Sequence, residues 1–369
     1  MSDISNLSEL VKATQPLPMA WYFDPRVFEL ERRLLFDQGP GYVGHELMVP
    51  NPGDYLTLEW MGHAKMLVRN EQGVALMSNV CRHRQGLLLE GRGHARHIVC
   101  PLHRWTYALD GTLLGAPEFA ATPCASLPKT SLRRWNGMLF AGPRDPAEDL
   151  KDFSAAADYD FNGYVYDRTV IDECPFNWKT FLEIYLELYH VEPFHPGLRD
   201  FVDAGNFRWE FGARWSIQYM GVKNQLQKTG SPKYARYRDA LLRYTGGEMP
   251  KYGTLWAIYY PNVMMEWYPH CLVVSTLVPR SPDHTTNVVE FYYPEDVAYF
   301  ETELKEAHQA AYLESAAEDA QICTLLHRGR KALYERGEDD AGPYQSPLED
   351  GMIHLHEFLR RELEPALKR

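Results

Sequence analysis

Apolar residues return at three- and four-residue spacing in Asn177–Pro196, where Phe181, Ile184, Tyr185 and Leu188 share one arc. This spacing predicts a helix, which Pro193 and Pro196 stop soon after His190. The stretch Cys271–Val278 is continuously apolar and short, the pattern of a buried strand. Further stretches read as antiparallel strands separated by turn residues: Phe207 to Val222, Thr254 to Tyr260, Val263 to Val278 and Asn287 to Tyr293. Helical segments are expected around 297–315 and 318–336, and Pro347 to Arg369 reads as a charged amphipathic helix. Upstream, Leu127–Gly142 reads as strands closing a small β domain, and Gly142-Pro-Arg-Asp-Pro146 as the linker that follows it. No internal repeat or low-complexity tract interrupts these patterns.

At 369 residues the chain is long enough for two domains with sizeable cores. No apolar run reaches the roughly 18 residues of a membrane span, and the opening lacks the basic head and apolar core of a signal peptide. Six cysteines are too few for a disulfide scaffold of this length, so a reducing cytoplasm and a metal-binding use are expected. A net charge of −12 argues against a nucleic-acid partner. One stretch departs from that acidity. Arg82, Arg84, Arg92, Arg96 and Arg104, with His94 and His97, face a single acid, Glu90. It reads either as a solvated basic loop or as a docking patch for an acidic partner.

Within that stretch Cys81-x-His83 and Cys100-x-x-His103 each pair one thiolate with one imidazole, sixteen residues apart. A zinc finger groups its cysteines first and its histidines later, whereas mixing them in both halves suits a two-iron cluster. A mixed zinc ribbon is the competing reading. The surroundings, Asn79-Val-Cys-Arg-His-Arg84 and Cys100-Pro-Leu-His-Arg-Trp-Thr-Tyr-Ala-Leu-Asp-Gly111, resemble the two loops of the Rieske oxygenase family. Gln85 and Arg104 stand where that family commonly has glycine, and Leu102 where it commonly has tyrosine. The resemblance implies a Rieske [2Fe–2S] cluster held by Cys81, His83, Cys100 and His103.

The helix around residues 177–190 carries the second candidate site. Glu183, Glu187 and His190 would lie along one face, with His195 approaching from the turn beyond. Two histidines and one carboxylate with other positions open is the donor set of a non-haem Fe(II) that activates oxygen. A di-iron bundle would need a second Glu-x-x-His helix, and Glu192-Pro-Phe-His195 does not supply it. Taken alone, these histidines would more often be ordinary core residues.

From Asn177-Trp-Lys through Glu187, His190 and His195, the segment resembles the catalytic signature of Rieske non-haem iron oxygenase large (alpha) subunits of the ring-hydroxylating type. The likeness covers about Trp21 to about Leu333. It implies mononuclear iron on His190 and His195, and Glu187 as a carboxylate bridging to His103 of a neighbouring subunit. A third ligand matches Asp319, with Glu318 its competitor and His327 in place of the usual glutamine. Ile184 departs from the family's asparagine. The implied fold is α+β: an N-terminal segment at 1–40, a small β Rieske domain at 41–146, and a helix-grip catalytic domain with an antiparallel sheet at 147–369.

The implied activity is that of a cytoplasmic terminal oxygenase, a homotrimer or a multiple of three, inserting oxygen from O2 into a small organic substrate. With no nicotinamide or flavin motif, electrons would come from a separate NAD(P)H-dependent reductase, with or without a ferredoxin. An electron carrier with a dead pocket is the rival. For substrate, the family at large favours an aromatic ring, whereas glutamate at 187 tilts toward amine oxidation or demethylation. Trp256, Tyr259, Tyr260, Trp267 and Tyr268 read as ordinary core or as the wall of a pocket for a quaternary ammonium.

Overall fold

The computed structural model describes residues 16–367 apart from 63 and 229. Pro40–Glu148 form one compact unit, and the described residues up to Gly39 join those from Asp149 onward in another. The first fifteen residues of the expected N-terminal segment lie outside the described residues.

The smaller unit is built of short strands: β1 (Tyr42–His45), β2 (Asp54–Thr57), β3 (Lys65–Asn70), β4 (Gly73–Ser78), β5 (Arg92–His94), β6 (Ile98–Val99), β7 (Thr106–Tyr107), β8 (Leu113–Gly115), β9 (Lys129–Thr130), β10 (Arg133–Trp135) and β11 (Met138–Phe140). They form antiparallel sheets ordered β5-β2-β3-β4-β9, β1-β11-β10 and β6-β7-β8. Met66, Val68, Met77, Trp105 and Tyr107 make a core into which Cys81 and Cys100 are also packed. The strands closing this unit are those expected around Leu127–Gly142.

The larger unit is one antiparallel sheet of seven strands: β12 (Tyr164–Cys174), β13 (Val202–Phe211), β14 (Trp215–Val222), β15 (Thr254–Tyr259), β16 (Val263–Tyr268), β17 (Cys271–Ser281) and β18 (His284–Pro294), ordered β12-β18-β17-β16-β15-β14-β13. Continuous burial of Cys271–Leu277 follows from cover on both faces of β17. Helices α1 (Ala20–Phe23), α2 (Pro25–Glu31), α3 (Trp178–Tyr185), α4 (Val191–Phe194), α5 (Pro232–Tyr244), α6 (Glu295–Phe300), α7 (Thr302–Arg336) and α8 (Asp350–Leu367) complete it. Among the described residues no helix is long and apolar enough to cross a membrane.

Two expected elements differ. The two late helical segments are one 35-residue helix, α7, because nothing between Ser315 and Glu318 breaks it. It ends at Gly337, whose φ of 70° closes a left-handed cap through Glu338 N–H to Leu333 O at 2.9 Å. The catalytic helix is shorter than its periodicity suggests: α3 stops at Tyr185. Instead of continuing the helix, Leu188 N–H donates to Leu348 O at 3.0 Å. Gly351 makes that diversion possible, since a Cβ there would sit 2.6 Å from Leu186 O. Glu187 and His190 therefore stand in a turn, and His195 caps the single turn α4.

The start of α3 is held by buried polar contacts. Asn177 caps it through Lys179 N–H at 3.0 Å and donates its amide to Tyr22 O and Pro282 O. Lys179 pairs with Glu31 in the interior, and Trp178 Nε1 donates to the same carboxylate at 2.9 Å. Glu183 accepts from Tyr22, Arg330 and His356. Removing one partner of such a buried pair typically costs about 3–5 kcal/mol, so this network fixes the segment on which the site is hung.

Candidate active site

Three side chains from distant points of the chain converge in the larger unit. His190 Nε2 and His195 Nε2 lie 3.0 Å apart. Asp319 Oδ1, from α7, lies 3.0 Å from His195 Nε2 and 3.3 Å from His190 Nε2. A metal with bonds of about 2.1 Å at right angles would leave its donors about 3 Å apart, so this set fits a facial two-histidine, one-carboxylate site. Each ring is fixed from behind. Glu187 accepts from His190 Nδ1 with one oxygen and from the His190 amide with the other, at 3.1 Å. Glu318 accepts from His195 Nδ1 at 2.6 Å. Such outer carboxylates fix the tautomer and leave Nε2 free to ligate. Glu318, the competitor for third ligand, thus sits on the far side of the ring from Asp319.

The electrostatics favour a positive charge at this point. Burial works against a charged His190, yet hydrogen bonds to Asp319 and Glu187 outweigh it and raise its pKa to about 9. Burial likewise opposes charge on Asp319, but both imidazoles hold its carboxyl below the usual range. His327 fills a structural role: its Nδ1 accepts from Asn177 N–H at 3.2 Å, and its Nε2 pairs with Asp283 at 3.0 Å. It ties α7 to the start of α3.

A pocket ends on His190, His195 and Asp319. Tyr185, Trp256, Tyr268 and Tyr312 give it aromatic walls, Phe181 and Ile184 add apolar ones, and among the described residues no lysine or arginine lines it. Trp256 and Tyr268 share the sheet face turned to the pocket. Tyr259 and Trp267 are of opposite strand parity, and Tyr260 packs on Phe358. Glu266, on β16 between Met265 and Trp267, is 4% exposed yet lines this pocket. It accepts from Tyr268 at 2.7 Å and Tyr312 at 3.3 Å. Sequence reasoning passed over it, although a lone acid in Val-Met-Met-Glu-Trp-Tyr is an available signal.

In the smaller unit, two loops of matching geometry carry the other four residues. Cys81 N–H donates to Gly86 O at 2.9 Å and Cys100 N–H to Trp105 O at 2.8 Å. Gln85 and Arg104 N–H return to the carbonyls of Cys81 and Cys100, both at 3.1 Å. Gln85 and Arg104 have φ of 57° and 58°, the left-handed region glycine enters most easily, and these are the two positions where glycine was expected. The thiols of Cys81 and Cys100 are buried and in hydrogen-bonding contact, and both are free of disulfides. Burial pushes the Cys81 thiol up, but Tyr107 and the amides of His83 and Arg84 outweigh that and favour thiolate. The rings of His83 and His103 stand 4.7 Å apart, and Trp105 stacks on His83 at 4.9 Å. His83 Nδ1 is buried without a hydrogen-bond partner, as a donor kept for a metal would be. Two adjacent thiols and two adjacent imidazoles with an orphaned nitrogen fit a [2Fe–2S] centre.

These two sites on these two units define an oxygenase that joins a Rieske centre to a non-haem iron. Residues 156–364 match the family of ring hydroxylating alpha subunits (catalytic domain), and residues 40–128 match the Rieske [2Fe-2S] domain. The chain belongs to the Rieske oxygenase alpha subunits, which carry a [2Fe–2S] cluster and a mononuclear iron. It is 53% identical to a putrescine 2-hydroxylase of Ralstonia nicotianae, over 99% of this chain and 100% of that one. It is 26% identical to a glycine betaine monooxygenase oxygenase subunit of Chromohalobacter salexigens, over 91% of this chain and 83% of that one. A quaternary ammonium Rieske monooxygenase shares the fold with a TM-score of 0.75 at 22% identity, over 95% of this chain and 96% of that one.

Proposed function

We propose that this oxygenase hydroxylates a saturated carbon of a small aliphatic amine, with a primary diamine such as putrescine the favoured class. The observation that carries this reading is the pocket wall: aromatic faces around one buried carboxylate, Glu266, with no ion-pair partner among the described residues. Aromatic faces and a carboxylate both attract an ammonium, whereas an uncharged arene would leave Glu266 buried without a counter-charge. The aromatic substrate favoured by family resemblance alone therefore gives way to an amine. A betaine, which carries its own carboxylate, would meet Glu266 with no lysine or arginine among the described lining residues to receive it. The 53% identity to a putrescine 2-hydroxylase supports the same choice.

We assign Cys81, His83, Cys100 and His103 to the cluster, and His190, His195 and Asp319 to the mononuclear iron. When bound, the cluster supplies electrons and the mononuclear iron binds and activates dioxygen. In the net reaction one oxygen atom enters a C–H bond and the other leaves as water, with an electron pair from a separate reductase and protons from solvent. Glu187 orients His190 and offers its carboxylate to His103 of a neighbouring copy, which makes a cyclic homo-oligomer, a trimer in the simplest case, part of the proposal. Ile184, Phe181 and the aromatic walls exclude water from the reacting carbon.

The test is oxygen uptake by the purified protein with a surrogate reductase, comparing putrescine, glycine betaine and naphthalene, with products read by mass spectrometry. The expected result is uptake stimulated by putrescine and a product one oxygen atom heavier. Stimulation by naphthalene alone, giving a diol, would overturn the amine reading.

A further inference from the structure

We infer that Glu266, Tyr268 and Tyr312 form a subsite that recognises an ammonium by its N–H groups, so that the enzyme takes primary amines and rejects their quaternary counterparts. This rests on the proposed amine hydroxylation and narrows it.

The direction of the hydrogen bonds can be worked out. Trp256 Nε1 can only donate, and it donates to the Tyr268 hydroxyl at 3.0 Å. An ionised Glu266 can only accept, so Tyr268 donates its own proton to Glu266 Oε2, at 2.7 Å. Tyr312 donates to the other oxygen at 3.3 Å. Both phenols are spent as donors on a carboxylate, which has about four acceptor positions, so about half of them remain open beside the pocket. Among the described residues the groups facing Glu266 from the packed elements offer no cation: Tyr268 from its own strand, Tyr312 and Asp319 from α7, Tyr185 from α3, Tyr159 and Cys271 from the surrounding chain. Asp319 adds repulsion.

A primary ammonium brings three N–H donors to those open positions. A quaternary ammonium brings methyl groups, which bind aromatic faces but leave the carboxylate oxygens unsatisfied. Sites built to receive a donor reject analogues that lack it far more strongly than apolar pockets reject an added methyl. Burial raises the Glu266 pKa to about 7, against the two phenol hydrogen bonds that lower it. Below that pH the carboxyl is protonated and its pull on the amine is lost. The KM for amine should then rise as pH falls below about 7, with kcat little changed.

The experiment measures anaerobic calorimetric binding of putrescine and N,N,N-trimethylputrescine to the holoenzyme, wild type and Glu266→Gln, with the cluster absorbance and thermal midpoint confirming an intact fold. N-methylation to the quaternary form and the Glu266→Gln change should each weaken binding by about 100-fold, on the scale of a charged hydrogen bond. In Glu266→Gln the two ligands should bind nearly alike and the pH dependence of KM should vanish. Tyr312→Phe should give a smaller loss of the same kind. Equal binding of the two amines by wild type, or unchanged putrescine binding by Glu266→Gln, would overturn the subsite while leaving amine hydroxylation standing. Failure of wild type to bind either amine would overturn both.

Discussion

The two units place histidines in opposite settings. In the smaller one His103 is exposed, His83 is half-buried, and among the described residues no carboxylate stands behind either ring. Exposed arginines at 82, 84 and 104 surround them. In the larger one His195 is buried, His190 is largely so, and each Nδ1 is held by its own carboxylate. A centre with surface imidazoles is suited to passing electrons outward. A centre with carboxylate-braced imidazoles at the end of an aromatic pocket is suited to holding a cation and a substrate away from water. On the proposed assignment the same residue type serves electron exit in one unit and chemistry in the other, and its surroundings decide which.

If that contrast is right, the two sites should fail independently. The largest expected effect is Asp319→Ala, which should abolish turnover and remove mononuclear iron while acid-labile sulfide and the cluster absorbance stay unchanged. Loss of sulfide as well would show the units to be coupled in assembly. Glu187→Gln should keep both metals and slow reoxidation of the cluster by roughly 10- to 100-fold in stopped-flow absorbance, the usual scale for losing an outer partner. Unchanged turnover would sink its bridging role. Glu318→Gln should lower iron affinity by about 10- to 100-fold in a chelator competition, with cluster content untouched. The smallest effect belongs to the other unit. Arg104→Gly should relieve about 1 kcal/mol of left-handed strain, partly offset by the freer unfolded chain. A small upward shift in the denaturation midpoint, without change in iron at the second site, is the result expected from calorimetry.

The same contrast explains what could be read in the sequence. The residues proposed for the cluster occupy two short loops, and Cys81-x-His83 and Cys100-x-x-His103 lie close enough along the chain for spacing alone to suggest shared ligation. The convergence of His190 and His195 was legible for the same reason. Asp319 lies 124 positions from His195, and only the packing of α7 on α3 tells it from Glu318, one residue earlier. The end of α3 was hidden because its cause is a distant segment: Leu348 takes the Leu188 amide and Gly351 lets the chain approach. Of the four strand aromatics, sheet register decides that Trp256 and Tyr268 face the pocket while Tyr259 and Trp267 do not. Register also brings Glu266 beside Trp256, and no local pattern carries that pairing.

Whether two metal sites act together on an aliphatic amine can be read in a single turnover. Holoenzyme reduced beforehand and freed of excess reductant would be mixed with dioxygen and putrescine, with no reductase present. A near-stoichiometric yield of hydroxylated diamine is expected as the cluster absorbance returns to its oxidised form. Oxidation of the cluster with no change in putrescine, in protein shown to hold iron at both sites, would contradict it.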